Sequence, residues 1–416
     1  MTTYFRRNPK QNVKNINKHA VLDLIRFMPG GISRAGIAKE IGLSRAAVTT
    51  IVNDLISAGI IRDAKQQAKT SGRPRTLLEI APEAGYVAGI DMGATHLRVV
   101  VTNFGAHVVT EKEISFNIAQ GPEACIAQAD QILRESLAAK DISIQSLSAI
   151  GFGVPGPISS DAGMVIAPPI MPGWDRFPIR DTLEELWQQP VSVNNDAELG
   201  ALGEWAYGAG RGAQDLAYIK VGTGIGAGLL IDGRIYRGST GSAGEIGHLT
   251  MDNEGPRCTC GNRGCLEAFS GGHAIAQQAI DAIQNGQHTQ ISRIPLKDIS
   301  AKDVASAAQR GDLVAQQIME EAGQHLGVAI AGLVNIFNPD MIVVGGGVAQ
   351  IGDLFLEPVR KTVEQRSLPA AATNVRITTA LLGRRSSSLG AIVQALSIAV
   401  HNIAEGKDEL RRQLVA

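Results

Sequence analysis

Two well-separated stretches of this chain follow one plan. Residues 85–103, GYVAGIDMGATHLRVVVTN, and 215–233, DLAYIKVGTGIGAGLLIDG, each read as an apolar strand, a Gly-containing turn and a second strand. Helical stretches such as 122–139 and 312–337 lie between and after them. A repeated hairpin with a Gly-rich tip predicts two similar α/β lobes facing each other over a cleft. Glycine at such a tip lets backbone N–H groups approach an anion closely. A third glycine run, Gly345 to Gly347, follows the apolar strand from Met341. Each loop alone reads equally well as a tight turn, whereas three in this order argue for a ligand cleft.

Composition agrees with a folded chain of more than one domain. At 416 residues, with 44% hydrophobic and 19% charged residues, wholesale disorder is excluded. No uninterrupted apolar run reaches the ~18–20 residues of a membrane span; the nearest is 326–337. Residues 1–17 are polar and basic without the apolar core of a secretory signal. Four cysteines make no disulfide framework, and three of them fall within 258–265. A cytoplasmic protein with a metal loop and no membrane partner is expected.

The charge is divided unevenly. Residues 1–80 hold 14 Lys and Arg against 5 Asp and Glu, while the remaining 336 hold 25 against 35. A basic module on an acidic body is the footprint of a polyanion-binding unit, unless it is only a solvated basic surface. The periodicity in this module decides for DNA. Residues 19–28 carry apolar residues at helical spacing, and Ser33 caps a second helix, 34–41. Gly42 supplies a turn, and Ser44 caps a third helix running to about Ala58. This is a helix-turn-helix whose second helix presents Ser44, Arg45, Thr49, Thr50 and Asn53 outward, groups suited to major-groove base edges. Residues 60–62 and 76–80 read as the strands of a wing tipped by Lys65, Lys69, Arg73 and Arg75, which suit phosphate or minor-groove contacts. A helical packing module or a protein-binding winged helix are the alternatives. The module is expected to occupy 1–81, with 82–85 a short linker.

His248, Cys258, Cys260 and Cys265 give the spacing H-x9-C-x-C-x4-C. Three thiolates and an imidazole suit tetrahedral Zn²⁺, and a complete set of four leaves no position for a catalytic water. Buried free cysteines are the alternative, disfavoured because a C-x-C in a polar loop oxidises readily. Cys125 lies in a helical stretch and is expected in the core.

Several further runs carry a resemblance. Asp91-Met-Gly93-Ala94-Thr95, Val154-Pro-Gly156, Asn195-Asp196-Ala197, Gly222-Thr-Gly224-Ile-Gly226, Gly244-Glu245-Ile-Gly247-His248, the cysteine loop to Glu267, and Gly345-Gly-Gly347 together resemble the ROK family. The likeness spans most of 13–395, and the run 244–267 is its most specific part. It implies an α/β fold: a winged helix-turn-helix followed by a two-lobed actin/hexokinase-like domain with a zinc loop. The lobes would be 85–200, with C-terminal helices at about 388–416 packing back, and 201–387. The family holds sugar kinases and sugar-responsive repressors, and the repressors carry an N-terminal winged helix.

The resemblance implies that Asn195, Asp196, Glu245, His248 and Glu267 bind sugar hydroxyls, that the zinc is structural, and that the protein forms a homodimer or homotetramer. Carboxylates accept hydroxyl donors, and Asn and His can donate. Asn195-Asp196 reads equally as a helix cap. In the family's kinases the place of Asp196 holds the general base. Asp91, Gly93, Thr95, Gly222, Thr223, Gly224, Gly345 and Gly346 would then serve ATP and Mg²⁺. Ala94 and His96 depart from the phosphate-loop pattern common in those kinases, which disfavours catalysis. The expected function is a sugar-responsive regulator, a repressor, that binds operator DNA and a small sugar effector. An ATP-dependent sugar kinase retaining its DNA-binding module is the alternative, and a DNA-binding protein with a vestigial sugar fold is a third reading.

Overall fold

Serine caps and a left-handed glycine set the N-terminal module. In a computed structural model, which describes residues 13–28, 31–68, 75–159, 162–166, 168 and 171–406 (side chains of 13–15, 65–68 and 75 excepted), the chain opens with α1 (Val13–Phe27), α2 (Arg34–Ile41) and α3 (Arg45–Ser57). Ser33 Oγ accepts from Gly36 N and Ser44 Oγ from Ala47 N, both at 3.2 Å, and Gly42 closes α2 at φ 69°. Val21, Leu22, Ile37, Val48 and Val52 bury their side chains between the three helices. The hairpin β1 (Ile61–Ala68) and β2 (Arg75–Ile80) forms the wing, and Ile32 bridges to Leu78. β1 runs beyond the expected 60–62 because its polar residues pair through the backbone, which needs no apolar pattern. α1 also begins earlier than the expected residue 19, since Lys18, just before it, has a surface to meet: it donates to Ala404 O at 3.3 Å.

Residues 82–85, expected as a plain linker, contain a single 3₁₀ turn, Pro82–Ala84, and Arg62 holds Glu83 at 2.8 Å. Beyond it come β3 (Tyr86–Met92), β4 (His96–Asn103), β5 (Val108–Ser115), α4 (Pro122–Ala138), β6 (Leu147–Val154), the small hairpin β7 (Ile158–Ser159) and β8 (Met164–Val165), α5 (Ile179–Trp187) and β9 (Val191–Asn195). Their main sheet has the order β5-β4-β3-β6-β9. After α6 (Asp196–Tyr207), the strands β10 (Leu216–Val221), β11 (Ile225–Ile231) and β12 (Arg234–Ile235) lead to helices α7 (Glu267–Ser270), α8 (Gly272–Gln284), α9 (Ala301–Gln309) and α10 (Leu313–Phe337). The second sheet is completed by β13 (Met341–Gly345), α11 (Asp353–Arg366), α12 (Pro369–Ala372) and β14 (Arg376–Thr379), in the order β12-β11-β10-β13-β14. In both sheets a three-stranded antiparallel meander is extended by two parallel strands. The repeated hairpin of the sequence is thus the start of a repeated sheet.

Side chains alternate across each sheet. Ala88, Ile90 and Met92 face α4 and its cluster, while Val87 on the other face meets α13 (Ser386–Ala404). α6 covers the corresponding face of the second sheet through Leu199 and Leu202 against Tyr218 and Leu230. α6 and α13 therefore lie together between the sheets. They touch backbone to backbone: a Cβ at Gly390 would overlap Leu199 O, and one at Gly203 would overlap Ser386 O. The expected division at residues 200 and 201 falls inside α6, which both lobes share. Cys125 is fully buried, as expected. Among the described residues one helix, 383–404, is long and apolar enough to cross a membrane, and 61% of its apolar window is buried within the protein. The core of the N-terminal module is continuous with α13 and with the face of the first sheet that α13 covers.

Candidate functional site

The two repeated hairpins aim their tips at one cleft of about 1750 Å³. Gly93, Ala94 and Thr95 line it from the first sheet, and Gly222, Thr223, Gly224 and Gly346 from the second. Asn195, Asp196, Glu245, His248 and Glu267 line the same space. Gly345 is set back, its Cα facing the Tyr218 hydroxyl at the end of β13.

Asn195 is a helix cap, as one reading of the sequence had it. Its Oδ1 accepts from Ala197 N at 2.8 Å, and its Nδ2 donates to Gly156 O at 2.9 Å. The cap delivers Asp196, the first residue of α6, into the cleft. Asp196 is held there from both sides: its Oδ2 accepts from Lys220 Nζ at 2.7 Å, and its backbone oxygen from Ser387 Oγ at 2.8 Å. Lys220 also acts on Asp91, whose carboxyl is almost fully buried. Burial alone would push Asp91 upward, but Lys220, His96 and Arg98 hold it below its ordinary value. His96 Nε2 lies 3.1 Å from Asp91 Oδ2, and its ring covers Gly93 so closely that a Cβ there would collide with it. The Gly-containing tip on this side is thus covered by an imidazole of its own hairpin.

Carboxylates crowd the end of the cleft beside the cysteine loop. Burial, with Asp196, Glu267 and Glu198 nearby, raises the Glu245 carboxyl despite His248 at 4.0 Å. Glu198, 5% exposed, is raised by burial even though Arg237 Nε lies 3.2 Å from its Oε2. Glu267 ties two loops together: its Oε2 accepts from Ile225 N at 2.9 Å and its Oε1 from Thr259 Oγ1 at 3.1 Å. Sequence reasoning did not find Lys220, Glu198, Arg237 or Ser387. A lysine in the buried strand LAYIKV is the one signal that was available for the first.

His248, Cys258, Cys260 and Cys265 place their ligand atoms within 4.8 Å of one another. His248 Nδ1 lies 3.7 Å from Cys258 Sγ, and Cys260 Sγ 3.7 Å from Cys265 Sγ. A tetrahedral site with Zn–S of about 2.3 Å separates its sulfurs by about 3.8 Å, so the spacing fits. Burial, then the neighbouring thiols, push Cys265 up to about 12. A bound divalent cation reverses that preference, since a coordinating thiol is deprotonated. The cluster is capable of coordinating a metal. Its loop joins His248 to Glu267, so the cluster and the cleft share a wall.

On the N-terminal module, Ser44, Arg45, Thr49, Thr50 and Asn53 all lie exposed on one side of α3. Ser44 spends an oxygen lone pair on its cap, while Thr49 and Thr50 donate to Arg45 O and Ala46 O. Lys69 and Arg73 lie outside the described residues, as do the side chains of Lys65 and Arg75; the Arg75 backbone pairs with Ala68 in the wing.

Comparison with known proteins agrees with both halves. The ROK family pattern matches residues 87–397, and a winged helix-turn-helix DNA-binding pattern matches 29–62. The putative xylose repressor of Caldicellulosiruptor sp. (strain Rt8B.4) is 33% identical over 386 residues, covering 92% of this chain and 96% of that one. The DNA-binding transcriptional dual regulator NagC of Escherichia coli (strain K12) is 31% identical, covering 90% and 91%. A crystal structure of a ROK family transcriptional regulator, a homolog of the E. coli MLC protein, superposes with a TM-score of 0.80 at 28% identity, covering 94% of this chain and 99% of that one. The chain belongs to the ROK family, as a sugar-responsive transcriptional regulator related to the xylose and N-acetylglucosamine repressors.

Proposed function

We propose that this regulator is a cytoplasmic repressor whose operator affinity is set by a sugar or sugar derivative bound between its lobes. The observation that carries this reading is the convergence of Asp196, Glu245 and His248 in a cleft beside a metal-competent loop, on a chain whose α3 is exposed for DNA. Asp196, Glu245 and Glu267 accept sugar hydroxyls, while Lys220, Asn195 and His248 contribute donors or hold the acceptors in place. His248, Cys258, Cys260 and Cys265 hold a structural Zn²⁺, which fixes the loop that carries His248 and Glu267. Arg45, Thr49, Thr50 and Asn53 meet base edges, with Lys69, Arg73 and Arg75 on phosphates or in the minor groove. A homodimer sets two such modules over a palindromic site.

The kinase reading is the weaker one. A general base needs a carboxylate oxygen free to take the hydroxyl proton, and one of the two Asp196 oxygens, Oδ2, is held by Lys220. A phosphate cradle needs open backbone at Gly93, which the His96 ring covers.

The test is an operator titration with and without D-xylose, D-glucose and N-acetyl-D-glucosamine, using a duplex selected by the protein from a randomised pool. One sugar is expected to change operator affinity by ~5–150-fold. No change with any sugar, together with no thermal stabilisation by any of them, rejects the reading.

A further inference from the structure

α6 reaches from the cleft to the DNA-binding module. Its first residue is Asp196, and its last turn carries Trp205 and Tyr207. The Trp205 ring lies 4.9 Å from Phe27 on α1, and Tyr207 is close enough to Arg26 to act on its charge. α13 runs alongside and meets the same helix: Arg26 Nη2 donates to Val393 O at 3.0 Å, Lys18 Nζ to Ala404 O at 3.3 Å, and His19 stacks on His401 at 3.9 Å.

The two helices have no room to move separately. Their backbones touch at Gly203 and Gly390. Glu204, fully buried on α6, accepts from Leu381 N, Leu382 N and Ser386 Oγ at the start of α13. Ser387 of α13 in turn holds Asp196 O. A tightly packed pair of this kind shifts as one body.

The joint with α1 has a different character. Arg26 is 5% exposed at its side chain and stacks over Phe27 at 4.5 Å. Its Nη1 is buried without a hydrogen-bond partner, Asp23 standing 3.9 Å away, and His401 Nε2 is likewise buried with Asp23 at 3.7 Å. Buried nitrogens whose nearest acid, Asp23, is too far for a hydrogen bond weaken the docked arrangement, because water would satisfy them once α1 moved. The joint therefore yields more readily than the α6–α13 contact, and a ligand bias on the helix pair is expressed there.

We propose that α6 and α13 form the rigid element that carries the state of the cleft to the DNA-binding module, through a joint of Arg26 and Phe27 on α1 against Trp205 and Val393. This rests on the reading of the protein as a sugar-responsive regulator and names the route of the response. A sugar that prefers one position of Asp196 selects one position of the helix pair, and with it one placement of α1 and the recognition helix.

The test uses the full chain and the variants Arg26→Met and Phe27→Leu, with Arg26→Lys as a milder change should either melt early. Sugar affinity by calorimetry is expected to stay within about threefold of the parent, the cleft being distant from the changes. The sugar-dependent change in operator affinity is expected to fall below about twofold, from ~5–150-fold in the parent. Parent-like coupling in folded variants overturns the proposal. A sugar-free arm separates it from the underlying reading. By reciprocity, binding the selected duplex alone should alter amide exchange in residues 196–207 and 386–404 but not in 313–337, and Arg26→Met should abolish that change. Duplex binding that leaves 196–207 unaltered in the parent overturns the relay. Altered exchange with no response to any sugar keeps the relay and removes the sugar.

Discussion

Lys220 Nζ lies 2.7 Å from Asp196 Oδ2, with both side chains more than four-fifths buried, and the same ammonium acts on Asp91. One lysine on β10 of the second sheet thus serves two carboxylates, Asp91 on β3 of the first sheet and Asp196 at the start of α6. Replacing it by methionine removes the shared cation while keeping the length of the side chain. The loss expected from breaking a buried pair is on the order of 3–5 kcal/mol, because both acids are left uncompensated. Lys220→Met with Asp196→Asn should recover part of that loss. Urea unfolding of the two single variants and the double variant measures the coupling; additive effects would show that the pair contributes nothing.

Asp91 and Glu198 should give opposite pH slopes. The folded carboxyl of Asp91 is depressed, so it stabilises above its unfolded value of about 3.9 and loses this as pH falls through the folded value. Melting temperatures of the parent and Asp91→Asn should therefore converge on acidification. Burial raises Glu198 in the folded state, with Arg237 and Asn194 offsetting only part of this. Its contribution is complete below about 4.3 and is lost as pH rises through the folded value. The parent should lose ground against Glu198→Gln between pH 4 and neutrality. Parallel curves for either variant contradict the assigned shift.

The metal loop makes a prediction that needs no knowledge of the sugar. Elemental analysis of the purified protein should find one zinc per chain, and Cys265→Ser should release it. Since Cys265 is fully buried and its loop carries His248 and Glu267, release should lower the melting temperature and weaken sugar binding together. Metal-free protein of unchanged stability would show that the four residues are only neighbours.

How far the sequence revealed all this depended on how local each signal was. The wing and recognition helices are legible because Ser33, Gly42 and Ser44 act within three or four residues of where they stand. The two sheets are legible because their strands are continuous apolar runs around Gly turns. The start of α1, residues 13–18, is not legible because it is mostly polar, and what Lys18 meets is α13, at the far end of the chain. The family resemblance names Glu267 as a sugar ligand. Its bond to Ile225 N comes from a strand 42 residues away, which no local pattern encodes.

Arg45 stands exposed at the first turn of α3, where a recognition helix meets base edges. Arg45→Ala is expected to cost ~1–3 kcal/mol on the selected duplex if the guanidinium pairs with guanine, and much less on random DNA. The helix cap belongs to Ser44, so the substitution leaves the fold intact. Binding assays on both duplexes at one fixed salt concentration decide it. An equal loss on the two would assign Arg45 to the phosphate backbone.

Glu245 and Glu267 stand in the same cleft but should not behave alike. Glu267 holds Ile225 N and Thr259 Oγ1, so Glu267→Ala unpins the Gly-rich tip from the metal loop as well as removing an acceptor. Glu245 has its carboxylate about one-third exposed, and its near neighbour is His248 at 4.0 Å. Glu245→Gln therefore keeps shape and packing and removes only charge and one acceptor. For Glu267→Ala, a lowered melting temperature should accompany loss of sugar binding. For Glu245→Gln, sugar affinity should fall about tenfold, the ~1.4 kcal/mol scale of one hydrogen bond to a charged group. Its melting temperature and sugar-free operator affinity should match the parent. Calorimetry, thermal unfolding and operator titration on the two variants separate these outcomes. Parent-like sugar affinity in Glu245→Gln would place the sugar away from Glu245 and return the cleft assignment to Asp196 alone.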